Sequence, residues 1–160
     1  MNVFDFHQRH DVKADHETEG LGTLAIGAAI EVHRHLGPGL PEIAYRKALA
    51  HELMLRGVEH ACEFPVPIIY KGLAVGDGRV DILVAKRLVI EIKVVEVLTT
   101  VHRAQTIAYL QALKLPLGLL INFNVAILNQ TRRQHALGIS FASVFAAFAS
   151  SRLPSPFCFT

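Results

Sequence analysis

The segment from Asp81 to Glu96, DILVAKRLVIEIKVVE, sets three charged side chains, Asp81, Glu91 and Lys93, among Val, Ile and Leu. A charge in such surroundings must be paired, solvated or bound to a metal. Strand alternation sends Glu91 and Lys93 to one face, and Ile90, Ile92 and Val94 to the other. Ala85, Lys86 and Arg87 make a short connection, which predicts an antiparallel hairpin. With its bend centred on Lys86, Asp81 stands directly across from Glu91, with opposed Cβ atoms roughly 5 Å apart. Two carboxylates that close repel each other, and a divalent cation relieves the repulsion. Hard oxygen ligands favour Mg²⁺, with Mn²⁺ as a substitute, whereas zinc more often brings His or Cys. Such an ion polarises a phosphodiester and acidifies a bound water, while Lys93 steers that water or stabilises developing charge. The competing reading is a surface hairpin with a cross-strand Lys–Glu pair and an unrelated Asp.

The residues around this hairpin predict a single α/β domain. TLAIGAAIEVHRHLG carries small and apolar residues at helical spacing, which predicts a helix from about Leu21 to His35, stopped by Gly37 and Pro38. A second helix opens near Pro41, with Ala44, Ala48 and either Leu49 or Tyr45 on its apolar side and Gly57 as its cap. ACEFPVPIIY is β-leaning but holds two prolines, so it fits an edge strand. Turns are expected at Lys71–Gly72 and Asp77–Gly78. Thr99 or Thr100 caps a helix over VHRAQTIAYLQAL, and LGLLINF follows as a buried strand. The expected order is helix, helix, three or four strands, helix, strand, with the C-terminal segment unplaced.

No apolar run approaches the roughly 20 residues that cross a bilayer, and the first residues do not resemble a signal peptide. A cytoplasmic location without membrane contact is therefore expected. Two cysteines, Cys62 and Cys158, specify neither a disulfide framework nor a zinc knuckle. Residues 1–20 carry five acids against two bases, leaving 14 bases and nine acids in residues 21–160. That basic excess is compatible with a nucleic-acid partner. The pieces GPG and GDG lack the Lys-Ser/Thr of a phosphate loop and the spacing of a dinucleotide fingerprint, so no organic cofactor is expected.

DILVAKRLVIEIK resembles the D–Xn–E–X–K signature of the PD-(D/E)XK nuclease superfamily, and GLPEIAY at residues 39–45 resembles the G-x-x-E-x-x-Y signature of the GxxExxY proteins. The blocks IEVHRHLGPGLPEIAYRKALAHEL, YKG, EIKVVEVL, HRAQTIAYL and GLLINFNV follow in that family's order, over roughly residues 21–129. The resemblance implies a restriction-endonuclease-like core with a central mixed sheet flanked by helices. It implies Asp81 and Glu91 as metal ligands, Lys93 as the catalytic lysine and Glu42 as the acidic helix residue beside the metal. Gln105 and Tyr109 resemble the Q-x-x-x-Y element that organises the site and the DNA end in exonuclease-like branches.

The residues themselves leave alternatives for these positions. Glu42 also suits a helix N-terminus as a charge worth about 0.3–1 kcal/mol. Tyr45 either braces Glu42 or belongs to the core. Gln105, Tyr109 and His102 share a helix side, and a core Tyr with a polar neighbour accounts for them equally. Glu96 either meets the metal's water shell or closes the strand against a base. His33 and His35 point in different directions and are read as solvent-facing or capping. Lys86 and Arg87 are read as charges that solubilise an edge.

Arg132 and Arg133 are candidate phosphate contacts. After NFNVAILN the chain departs from the family pattern, and Ile139 to Ala149 is expected as a helix covering the core or a partner surface. The organisation expected is a polar arm over 1–20, a nuclease-like domain over 21–129 and a divergent segment over 130–160. The leading function is Mg²⁺-dependent phosphodiester hydrolysis, on DNA rather than RNA. The alternatives are a non-catalytic nucleic-acid-binding or regulatory protein on the same fold, and a homo-oligomeric interaction protein assembled through its C-terminal segment.

Overall fold

The two halves of the apolar hairpin form the middle of a five-stranded sheet. The computed structural model describes residues 14–128 and, for the backbone, 136–140. Strands β1 (His60–Tyr70), β2 (Leu73–Val84), β3 (Leu88–Lys93), β4 (Leu117–Asn122) and β5 (Ala136–Ser140) lie in the order β1-β2-β3-β4-β5. All pairs are antiparallel except β3 with β4, which run parallel and are joined through helix α3 (Thr100–Leu113). Helices α1 (His16–Leu36) and α2 (Glu42–Leu55) cover one face, where Ala28, Val32, Tyr45, Leu49 and Leu53 pack on Ile82, Val84, Ile90 and Ile92. Leu110 of α3 packs on the other face with Leu83, Val89 and Leu120. This is the expected mixed sheet with flanking helices, and cover on both faces explains why β3 reads as an almost unbroken apolar run. No helix among the described residues is long and apolar enough to cross a membrane.

Several local expectations change. Helix α1 begins at His16, five residues before the expected start, because the Asp15 carboxylate accepts from Thr18 N–H at 2.8 Å and Glu17 and Glu19 fill the first turn. Arg87 then ties this helix end to the β2–β3 turn through Asp15 at 3.0 Å and Glu17 at 3.1 Å, so it is a bridge between elements rather than an edge solubiliser. The buried stripe of α2 is Tyr45, Leu49 and Leu53, spaced by four, while Ala44 and Ala48 are only half-buried. His33 is buried, not solvent-facing, with Nε2 2.8 Å from the Val125 carbonyl oxygen. Strand β3 stops at Lys93, before Val94.

Asp77–Gly78 is not a turn: it lies inside β2, paired with Pro67 and Val66 of β1. A Cβ at Gly78 would stand 2.6 Å from Tyr109 Cε1, so the glycine permits an aromatic ring against the strand backbone instead of a reversal. β1 is an edge strand, as its prolines require. Ala136–Ser140 pairs with β4, so Ile139 belongs to a strand and not to a helix; residues 141–149 of that expectation lie outside the described residues.

The segment between α1 and α2 is fixed by Tyr45. Its hydroxyl donates to the Gly37 carbonyl at 2.6 Å and accepts from Leu40 N–H at 3.1 Å, and its ring stacks on Phe123 at 4.5 Å. Tyr45→Phe keeps the stacking and leaves two backbone groups without that partner. We expect a loss of about 1–3 kcal/mol in urea unfolding with an unchanged m value.

Candidate metal centre

Asp81 and Glu91 come from neighbouring strands. Ile82 pairs with Ile90, and one further step along both strands sets Asp81 beside Glu91. Each carboxylate is tied to the other strand: Ile92 N–H donates to Asp81 Oδ2 at 2.8 Å, and Asp81 N–H reaches Glu91 Oε1 at 3.4 Å. Both are buried, at 9% and 2% exposure. The remaining oxygens meet cations. Lys93 Nζ lies 3.4 Å from Glu91 Oε2, and Arg46 Nη1 lies 3.2 Å from Asp81 Oδ1. Arg46 also extends Nη2 to Glu63 Oε1 at 3.2 Å, and Arg79 reaches that same oxygen at 3.2 Å.

A break in the pleat allows this convergence. Val80 and Leu83 lie in one cluster beneath α3, although three residues of regular alternation would separate them. Across from the break, between the pairs Cys62–Ile82 and Phe64–Val80, Glu63 has a φ of 52°. Left-handed backbone at a non-glycine residue costs roughly 1–2 kcal/mol. In return, Asp81 meets Arg46 of α2 on one side and Glu91 of β3 on the other.

Burial first, and then the neighbouring Asp81 charge, pushes the Glu91 carboxyl up to about 7, against the opposing pull of Lys93. Burial also raises Glu42, which stands in the first turn of α2 and feels Lys93, Asp81, Arg46 and His102. Among the described residues no three of His, Cys, Asp and Glu converge on a point that would hold a metal, so Glu42 adds no third ligand in this arrangement. Two carboxylates nevertheless suit Mg²⁺, which keeps much of its water and takes one or two carboxylates together with substrate phosphate. The fit lies in the donor chemistry: two hard oxygen groups are held together by backbone bonds, and their like charges are balanced by the Arg46 and Lys93 side chains.

The other sequence candidates surround this pair unevenly. Gln105 Nε2 donates to the Tyr109 hydroxyl at 3.2 Å, and that hydroxyl accepts from Arg79 N–H at 3.4 Å, which links α3 to the strand carrying Asp81. His102 Nδ1 accepts from Thr99 N–H at 3.1 Å, closing a capping box at the start of α3. Tyr45 braces the Gly37–Leu40 turn, not Glu42. Glu96 is exposed in the loop after β3. Arg132 and Arg133 lie outside the described residues.

Sequence reasoning missed Arg46, Glu63 and Asn122. Arg46 follows Glu42 by one helical turn, a spacing that could have flagged it. Glu63 carried no such signal. Buried Asn122 ends β4 and clamps the chain leaving E-I-K: its Nδ2 donates to Val95 O at 2.7 Å and its Oδ1 accepts from Val95 N–H at 3.1 Å.

A raised Glu91 has a definite pH consequence for the metal-free protein. The folded chain holds this proton from the ordinary value of 4.5 up to about 7, while the unfolded chain releases it. Its contribution is complete below that window and is lost as pH rises through it, about 3 kcal/mol in all. Urea unfolding with a chelator present should show wild type losing about that much more stability than Glu91→Gln between pH 4.5 and 8.

Searches against curated proteins and solved structures find no match. A family model described as the PD-(D/E)XK nuclease superfamily matches residues 19–134, which covers both strands of the centre and all three helices except the first turn of α1. The chain belongs to the PD-(D/E)XK nuclease superfamily.

Proposed function

We propose that this protein is a Mg²⁺-dependent nuclease that hydrolyses phosphodiester bonds, with DNA preferred over RNA. The observation that carries the reading is the buried Asp81–Glu91 pair, cross-tied to opposite strands with Lys93 on its second member. A chain that places two carboxylates together out of water has a use for a cation there. Membership of a nuclease superfamily supports a nucleic-acid substrate. GLPEIAY and the blocks that follow it favour the GxxExxY proteins within that superfamily. The proposed organisation keeps a nuclease-like unit over 21–129, a polar arm before it and a segment after it that packs on the core or on a partner. We place the protein in the cytoplasm.

In this reading Asp81 and Glu91 hold the ion, which when bound polarises the phosphodiester and lowers the pKa of an attacking water. Lys93, freed from Glu91, orients that water and stabilises charge on the phosphate oxygens. Gln105 and Tyr109 hold the strand carrying Asp81 in register with α3, and Glu42 acts through water from the start of α2.

A second reading, a nucleic-acid binder without turnover, draws on one observation: each carboxylate already has a cation of its own within the chain. Linear, nicked and single-stranded DNA incubated with Mg²⁺ separates the two. The nuclease reading expects product whose rate falls at least about a hundredfold in Lys93→Ala and Asp81→Asn while circular dichroism stays that of wild type. Binding without product at any Mg²⁺ or Mn²⁺ concentration assigns the protein to the second class.

A further inference from the structure

The nuclease reading leaves Arg46 without a task, although its guanidinium occupies the most consequential position in the centre. It bridges two carboxylates on adjacent strands, through Nη1 to Asp81 Oδ1 and through Nη2 to Glu63 Oε1, both at 3.2 Å. Its own side chain is only 16% exposed, whereas that of Glu63 is 47% exposed. The two ends of the bridge are therefore unequal. Asp81 Oδ2 stays bound to Ile92 N–H whatever happens at Oδ1, and Glu63 holds the guanidinium from the solvent side. Arginine does not give up its proton in a protein, so Oδ1 is vacated by movement and not by titration.

We propose that Arg46 is a positioning residue that stands in for the divalent cation at Asp81 and moves onto a substrate phosphate when the ion enters; this deepens the nuclease reading and rests on it. In the metal-free protein the guanidinium neutralises Asp81 and keeps its carboxylate aimed beside Glu91. A cation held by Asp81 would set positive charge against the guanidinium, and Nη1 would leave Asp81 while Nη2 stays with Glu63. The released N–H groups form a fork that matches the oxygens of a phosphodiester. Metal and substrate are thereby coupled, since a phosphate that retains Arg46 removes the ion's competitor. By linkage each ligand tightens the other by the same factor. Arg79 sits on the same Glu63 oxygen from the outer side and restrains Glu63 during the exchange.

The test is Mn²⁺ binding followed by electron paramagnetic resonance, with and without a short duplex of phosphorothioate-linked DNA that resists cleavage, in wild type, Arg46→Met and Arg46→Gln. Both substitutions remove the competing charge. Without DNA we expect half-saturation of each variant at an Mn²⁺ concentration about tenfold below wild type. The duplex should lower the wild-type value markedly and the variants' values little. A purely structural Arg46 predicts the opposite, weaker binding together with lost folding stability. Equal or weaker Mn²⁺ binding in the variants, or an equal effect of the duplex on all three proteins, overturns the proposal while leaving a metal-dependent nuclease intact. Absence of Mn²⁺ binding in every protein, with native circular dichroism, overturns this proposal and the nuclease reading together.

Discussion

Two carboxylates sharing a buried position is the constraint around which this fold is arranged. Left alone, Asp81 and Glu91 would repel, and each would lose its hydration. The chain answers with two kinds of contact. Backbone N–H groups of Ile92 and Asp81 bind one oxygen of each and cannot move without breaking the sheet. Arg46 and Lys93 bind the other oxygens through long side chains. The backbone bonds set where the acids stand, and the side-chain cations replace water there. An interior of this kind is a weak source of stability, because desolvation offsets most of the attraction.

The G-x-x-E-x-x-Y stretch takes on a structural meaning in this light. Tyr45 binds the backbone at Gly37 and Leu40 and stacks on Phe123, the residue after β4, so one side chain joins the α1–α2 turn to the end of the sheet that carries Lys93. Phe123 N–H in turn donates to the Lys93 carbonyl at 2.9 Å. The start of α2, with Glu42 and, one turn on, Arg46, is thereby held beside the carboxylate pair. Asn122 does the corresponding work on the exit from β3 through its two bonds to Val95. A Tyr and an Asn that hydrogen-bond only to backbone groups of the chain thus help determine whether the charged residues meet.

How much of this was legible in the sequence follows the range of each interaction. The hairpin register was readable because a period of two and a three-residue connection leave few alternatives, and they put Asp81 opposite Glu91. Apolar periodicity with its glycine, proline and threonine boundaries carried the order of helices and strands. What sequence reading lost depended on partners far along the chain. Asp77–Gly78 has turn composition, but the ring of Tyr109 makes the glycine a packing position. Histidine near a helix end suggests solvent, but the Val125 carbonyl makes His33 a core residue. The Arg46–Glu63 contact joins a helix to an irregular strand position, and nothing in the residues around Glu63 announces its positive φ. Asp15 was locally visible as a cap and was missed because apolar periodicity, which starts later, was used to place the helix.

Counting charges in the centre gives an order of events. Glu42, Glu63, Asp81 and Glu91 face Arg46, Arg79 and Lys93, so with Glu91 protonated the acids and bases balance, and with it ionised one negative charge is in excess. Because burial and Asp81 hold Glu91 near 7, the centre passes between these conditions close to neutral pH. Neither condition attracts a polyanion strongly. In the proposed nuclease reading, a divalent cation held there would turn the ionised centre net positive, and a phosphodiester would then gain from approaching the carboxylates. In that reading, the same surplus of acid that opposes nucleic acid in the metal-free protein would draw the ion in before the phosphate or together with it.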